Sequence, residues 1–173
     1  MQKKRKKLTQ KLGINLDLFS NKHKNTPQKR LIKSSLFKKE LLEKQKIQAT
    51  YQITTSTLKT LITKLKHKKS KLKTLIKLLE MRLDNVLFRA HICATRKAAR
   101  QLIAHKKIKI NGKRENKRAR TIKKHDIIKT PFILNNTTKH FIFFKKKFKL
   151  IKTNYYKKYV HQYNEFLLTK TLM

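Results

Sequence analysis

Apolar positions recur at helical spacing through the middle of the chain and at alternating spacing after residue 107. Glu40, Leu41, Leu42, Glu43 and Gln45 favour helix, and Ile47 and Tyr51 continue one face of it. Glu40 and Lys44 stand at i,i+4 in the favourable order. The β-branched and small polar residues of Gln52–Thr57 predict a break. Leu58, Leu61, Ile62 and Leu65 then resume the helical spacing, and His67–Lys71 forms a basic connector. Leu72, Leu75, Ile76 and Leu79 open a further stripe. Leu79, Leu83, Val86, Leu87 and Ala90 read as one continuous helical face, with Arg82 and Arg89 seven residues apart and so on a shared side. Thr95 is a good N-cap for a second helix over Arg96–Ala104. In it Ala98, Ala99, Leu102 and Ile103 pack inward, while Arg96 and Arg100 stand at i,i+4 and project together.

Beyond the helices the period changes to two. Ile108 and Ile110 flank Lys109, and Asn111-Gly112 follows at once, a two-residue turn whose positions tolerate positive φ. Lys113–Arg120 forms the return. Ile122, then Ile127 and Ile128 after a His125-Asp126 turn, predict a further strand. Phe132–Leu134 and Phe141–Phe144 are strand-like apolar runs, and Lys145–Lys149 reads as a basic run. Tyr155, Tyr159 and Tyr163 are spaced by four, which points to packing rather than base stacking. Phe166–Leu168 is a terminal strand or turn. Residues 1–38, with Gly13, Pro27 and Ser34-Ser35, show no sustained periodicity and predict an extended basic arm.

Charge then narrows the function. The 173 residues carry 48 Lys+Arg against 8 Asp+Glu, a formal net of +40. Such like charge opposes the compact state unless a polyanion neutralises it, and phosphate backbones do so with release of counterions. A membrane-directed chain would confine its basic cluster beside an anchor, whereas here basic residues run from end to end. An A/T-rich genome inflates lysine, but it does not explain the scarcity of acids. Seven of the nine arginines fall between Arg82 and Arg120, and arginine alone offers a planar fork for two-point phosphate binding.

The candidate RNA-binding groups are accordingly Arg82, Arg89, Arg96 and Arg100 with Thr95, Lys97 and Gln101 on the helix pair. His105, Lys106 and Lys107 follow in the loop before the hairpin, and Asn111, Gly112, Lys113 and Arg114 at the turn. Lys44 and Lys46 add to them on the preceding helix. A preformed basic surface suits RNA, whose A-form major groove side chains do not read. Asp84 is expected to orient one of the arginines, and the Glu80/Asp84 pair to sit on the helix surface or core edge.

Enzyme chemistry finds no support. The seven histidines never stand at metal-ligand spacing with a carboxylate, and no phosphate loop or G-x-S-x-G is present. A single cysteine, Cys93, excludes an intrachain disulfide and a multi-cysteine zinc site, and is expected to be a small buried hydrophobe. No apolar run approaches the ~18 residues of a membrane span. The N-terminus lacks a secretory h-region and reads as part of the mature protein. No cofactor, metal, membrane or small-molecule substrate is expected.

The stretch Leu79–Arg89, then Ala94–His105 and Ile110-Asn111-Gly112, resembles the RNA-binding domain of the small ribosomal subunit protein S-four family. Leu42–Lys46 with Tyr51 resembles the helix before that domain, and Asn164–Leu168 its C-terminal element. Met81–Asn85 and Lys11-Leu12-Gly13 resemble the plastid branch. The resemblance implies an α+β fold. It comprises an N-terminal extended arm (1–38) and a helical domain (39–80) that binds rRNA. A helix-helix-hairpin RNA-binding domain (81–130) is inserted, and a divergent C-terminal segment (131–173) packs back on the helical domain. It further implies a structural constituent of the small subunit that binds the 5′ domain of small-subunit rRNA early in assembly. Its other partners would be neighbouring small-subunit proteins and the region where messenger RNA enters. The implied location is the plastid ribosome, with the mitochondrial ribosome as the alternative. The other function classes are a free RNA-binding module in ribosome rescue and one attached to RNA modification. Two departures stand out. The family usually has glycine where this chain reads Ala90-His91, and Ala119–Ile122 replaces a segment with an aromatic contact.

Overall fold

Helix α1 spans Leu36–Tyr51 because Ser35 caps its start, accepting from the Lys38 amide at 3.3 Å, and because Glu43, Ile47 and Tyr51 form one buried i, i+4, i+8 stripe. It ends where Gln52 turns left-handed at φ 51°. Thr54 then caps α2 (Thr55–Lys64), accepting from the Thr57 amide at 3.3 Å. The break expected over Gln52–Thr57 is this junction. The ion pair on α1 is Lys46 with Glu43 at 2.6 Å.

The computed structural model describes residues 12, 35–65, 67, 70–132, 141–144, 146–150 and 157–164. The expectations for most of the 1–38 arm, Ile133-Leu134, Tyr155-Tyr156 and Glu165–Leu168 lie outside the described residues. Two units are distinguished, one with α1 and α2 plus Tyr163 and Asn164, the other spanning Lys73–Gln162. In the first, the Asn164 amide donates to Glu43 Oε2 at 3.4 Å.

The second unit is α+β. It contains most of α3 (Lys71–Glu80), then α4 (Leu83–Arg89), α5 (Arg96–Ala104), a five-stranded antiparallel sheet and a short α6 (Lys157–Val160). The continuous helix expected through Leu79–Ala90 is two helices. The chain breaks at Met81-Arg82, where Arg82 is extended (ψ 140°) and bridges Thr121. No side chain caps α4. Instead the Leu83 and Asp84 amides donate to the Arg120 and Arg118 carbonyls at 2.8 and 3.4 Å, and Ile122 donates back to Met81 at 2.8 Å. The orphan amides of a helix start are thus satisfied by a distant segment, a pairing that local periodicity does not encode.

The strands are β1 (Ile108–Ile110), β2 (Lys113–Glu115), β3 (Ile127–Lys129), β4 (Phe141–Phe144) and β5 (Lys147–Leu150), in the order β2-β1-β3-β5-β4. Asn111 and Gly112 join β1 to β2 with φ of 50° and 87°, both positive as a tight hairpin turn requires. The basic run Lys145–Lys149 overlaps strand β5, and β4 and β5 extend the same sheet as β1–β3. Residues 141–150 therefore complete the second unit rather than returning to the helical segment. Lysines at Lys147 and Lys149 hide the alternation, since only Phe148 and Leu150 face inward. The core lies between one sheet face and the helices. Leu83, Val86, Leu87, Ala99 and Ile103 pack with Ile108, Ile110, Ile122, Ile128, Phe148 and Leu150. Cys93 is part of that core, and burial pushes its thiol up to about 11. It stays protonated at neutral pH and is no nucleophile.

Candidate nucleic-acid interface

Two carboxylates organise the helices of the second unit. Glu80 and Asp84 are 0% and 1% exposed, so neither is a surface feature. Asp84 takes Arg82 in a fork, Nε to Oδ1 at 3.1 Å and Nη2 to Oδ2 at 3.2 Å, and also accepts from Arg100 Nε at 2.8 Å. Glu80 takes Arg89 in a second fork, at 3.1 and 2.8 Å, and accepts from Asn85 Nδ2 at 2.6 Å. Asn85 in turn accepts from Arg96 Nε at 2.8 Å. Two guanidinium groups also lie over aromatic rings. Arg96 is 4.1 Å from the Phe88 centroid and Arg89 is 3.8 Å from that of Tyr159. This favours the charge after its hydration is lost.

These bonds revise the expected surface. Arg82 and Arg96 are buried, and the side chains of Arg89 and Arg100 are only 11% and 18% exposed. The four arginines singled out as projecting groups tie α3, α4 and α5 together. Arg82 and Arg89 do not share a helix face, because the break at Met81-Arg82 separates them. Asp84 does orient arginine, and orients two. The physical reason is the scarcity of acid. In so basic a chain two buried carboxylates attract the nearest guanidinium groups, and a buried charge persists only when paired.

The outward stripe of α5 is offset by one residue from the expected one. Lys97 and Gln101 are exposed, and His105 continues their side of the helix. Thr95 is half-buried and caps the helix, accepting from the Ala98 amide at 3.1 Å. Lys106 turns left-handed (φ 54°), and the amides of Lys106 and Lys107 donate to Ile103 and Leu102 at 2.9 and 3.1 Å. This closure ends α5 and leaves both lysine side chains exposed. The link after α4 has the same form. His91 takes φ 56°, and the amides of His91 and Ile92 donate to Phe88 and Leu87. A histidine therefore occupies the conformation that glycine adopts without strain.

At the hairpin, Lys113, Arg114 and Gly112 are exposed. Asn111 is exposed but engaged. Its Nδ2 donates to Asp126 Oδ1 at 3.0 Å and its Oδ1 accepts from the Ile127 amide at 2.9 Å. It fastens the turn to the loop before β3. Lys44 and Lys46 belong to the other unit and are half-buried, the latter held by Glu43. Exposed basic residues that sequence reasoning omitted follow the hairpin: Lys117, Arg118, Arg120, Lys123 and Lys124. Their signal was the charge run itself, masked by the absence of any periodicity.

Glu115 holds this loop. It accepts from the Lys117 and Asn116 amides at 2.9 and 3.1 Å and from Arg120 Nη1 at 2.7 Å. The Lys117 amide bond, with Arg120 beside it, holds the carboxyl below the usual range against the opposing effect of burial. A depressed folded value means that the charged form favours folding. The contribution is full at neutral pH and is lost as pH falls below the ordinary carboxylate value of about 4.3. Urea midpoints of the wild type and Glu115→Gln should therefore differ at pH 7 and converge as the pH falls through the depressed folded value.

Among the described residues no group of three or more His, Cys, Asp or Glu could hold a metal ion, and no helix is long and apolar enough to cross a membrane.

Residues 81–128 match the S4 domain. The chain is 42% identical over 106 residues to small ribosomal subunit protein uS4c of Cuscuta sandwichiana, covering 61% of this chain and 52% of that one. It is 36% identical over 116 residues to uS4 of a Nocardioides species, covering 62% and 57%. With uS4 of Methylobacillus flagellatus the figures are 38% over 126 residues, 65% and 60%. The chain spans a little over half the length of these curated relatives.

Proposed function

We propose that this chain, which carries an S4 domain and is similar to small ribosomal subunit protein uS4 beyond it, is a structural constituent of the small ribosomal subunit that binds the 5′ domain of small-subunit rRNA early in assembly. The observation that carries the reading is the extent of the likeness. The S4 domain occupies residues 81–128, while the matched stretches run to 106, 116 and 126 residues. A free RNA-binding module, or one attached to a modifying enzyme, needs only the domain itself.

In this reading RNA lies along Lys97, Gln101, His105, Lys106, Lys107, Gly112, Lys113 and Arg114. Arg82, Arg89, Thr95, Arg96, Arg100 and Asn111 hold those groups in place. Lys44 and Lys46 add a contact from the helical segment. Neighbouring small-subunit proteins and the region where messenger RNA enters are the further partners that membership would bring. The plastid ribosome is the favoured location, supported by the likeness to a uS4c and by the form of Met81–Asn85.

The test is binding of the full chain to a transcript of the small-subunit 5′ domain, with transfer RNA and a large-subunit transcript as competitors, together with sedimentation of organellar extract. Preference for the 5′-domain transcript and stoichiometric recovery in small subunits are expected. Equal binding of all three RNAs, with recovery only in free large subunits, would overturn the reading.

A further inference from the structure

The sheet has a second face, away from the core, and its composition is not that of an ordinary solvated surface. The strand registers align Arg114 with Lys109, Lys109 with Lys129, Lys129 with Lys147, and Lys147 with Phe144. Residues directly opposite in antiparallel strands project to the same side. One cation on each of β2, β1, β3 and β5 therefore forms a row across the sheet, with strands ~4.8 Å apart, and the row ends on an aromatic ring of β4. The adjacent row aligns Ile127 with Lys149 and Lys149 with Ile142. No described carboxylate pairs with any cation of the first row.

Two features of this face are unfavourable in the protein alone. Like charges directly opposite across strands destabilise a sheet. Phe144, Ile127 and Ile142 are 60%, 46% and 43% exposed, whereas the outward positions of a one-sided sheet are ordinarily polar. A polyanion removes the first cost. A partner with flat apolar faces between its charges removes the second. Single-stranded RNA has both, a phosphate backbone for the lysine row and base faces for the ring at its end.

We propose that the outer face of the sheet is a second RNA-binding surface, taking a single-stranded segment with its backbone along Arg114, Lys109, Lys129 and Lys147 and a base against Phe144. It is formed by the opposite side of the unit's sheet from that on which α4 and α5 pack; it shares Arg114 with the hairpin end of the first surface and engages none of the arginines those helices hold. The proposal rests on the reading of the chain as an RNA binder only in its choice of occupant.

The experiment measures binding of the full chain to a labelled twelve-nucleotide oligouridylate across a salt series, with circular dichroism to check folding. Three variants are compared: Lys129→Ala/Lys147→Ala, Phe144→Ala, and Lys59→Ala/Lys64→Ala as a charge-matched change on α2. Removing two phosphate contacts should lower the salt slope by ~1.4. Phe144→Ala should weaken binding ~5-fold or more with an unchanged slope, and the α2 variant should move neither as far. Equal effects of the two lysine pairs, with no effect of Phe144→Ala, would overturn the proposal. So would dimerisation of the RNA-free protein that Phe144→Ala abolishes, which would assign the face to a second copy. Binding of the 5′-domain transcript is measured beside it. A chain that prefers that transcript while the sheet variants leave oligouridylate binding intact retains the ribosomal reading and loses this one. The converse result does the reverse.

Discussion

Asp84→Ala is expected to lower the unfolding free energy of the second unit by ~3–5 kcal/mol, the usual cost of leaving a buried charge without its partner. The size follows from the geometry. One carboxylate, 1% exposed, receives two nitrogens of Arg82 and one of Arg100. Its removal takes the shared carboxylate away from two guanidinium groups that are largely shielded from water, their side chains 9% and 18% exposed. Asp84→Asn keeps the shape and an acceptor and should cost less, ~1.5–3 kcal/mol, the value of hydrogen bonds to a charged group. Domains are stable by only ~5–15 kcal/mol, so Asp84→Ala should melt far below the wild type in a urea or thermal scan followed by circular dichroism. A loss under ~1 kcal/mol would show that the cluster is not structural. The same network changes what Arg96→Ala with Arg100→Ala would do. Charge spacing alone predicts weaker RNA binding with helix content intact, whereas the contacts predict loss of helix content as well.

The largest expected effect on binding comes from residues that the network leaves outside. A variant with Lys97, Lys106, Lys107, Lys113 and Arg114 all changed to alanine removes five exposed cations and no described hydrogen bond or ion pair of their side chains. If all five meet phosphates, the slope of log affinity against log salt on the 5′-domain transcript should fall by ~3.5–4.5. At ~0.2–1 kcal/mol each, affinity should drop from about fivefold to several thousandfold. Circular dichroism and urea midpoint should hold or improve, since self-repulsion falls. An unchanged slope would place the RNA elsewhere.

The α1 stripe, the Thr95 cap and the Asn111-Gly112 turn were legible because each is local. A period, a capping oxygen or a pair of residues tolerant of positive φ is sufficient to specify it. The break at Met81-Arg82 was not, because the partners that make it are Arg118–Ile122, brought back from beyond the hairpin. The arginines were legible as a cluster but not in direction. Helical spacing places Arg96 and Arg100 together, and it does not say that Asn85 and Asp84 draw them inward. Only Asp84's attraction to arginine gave that hint. Strand β5 was obscured because half of its alternation is lysine on both sides of Phe148, which reads as a charge run until the neighbouring strand supplies the pairing. The cation row on the outer sheet face depends wholly on register, which sequence patterning does not fix between strands so far apart in the chain.

The pairing of Met81–Asp84 with Arg118–Ile122 also bears on the order in which the chain acquires its structure. It closes a loop of about 40 residues whose contents, two helices and a two-residue hairpin, are themselves short-range, so the entropy of closure rises only slowly with its length. Everything needed for that clasp has been synthesised by Ile122. Strands β4 and β5 then add at one side of the sheet, beyond β3. A nascent chain can thus close the helix-hairpin portion before its aromatic strands emerge, and the late strands dock on a preformed edge. That edge is the open one for as long as they are absent, and the lysine at its outward position, Lys129, is the type of residue that discourages pairing with a stranger.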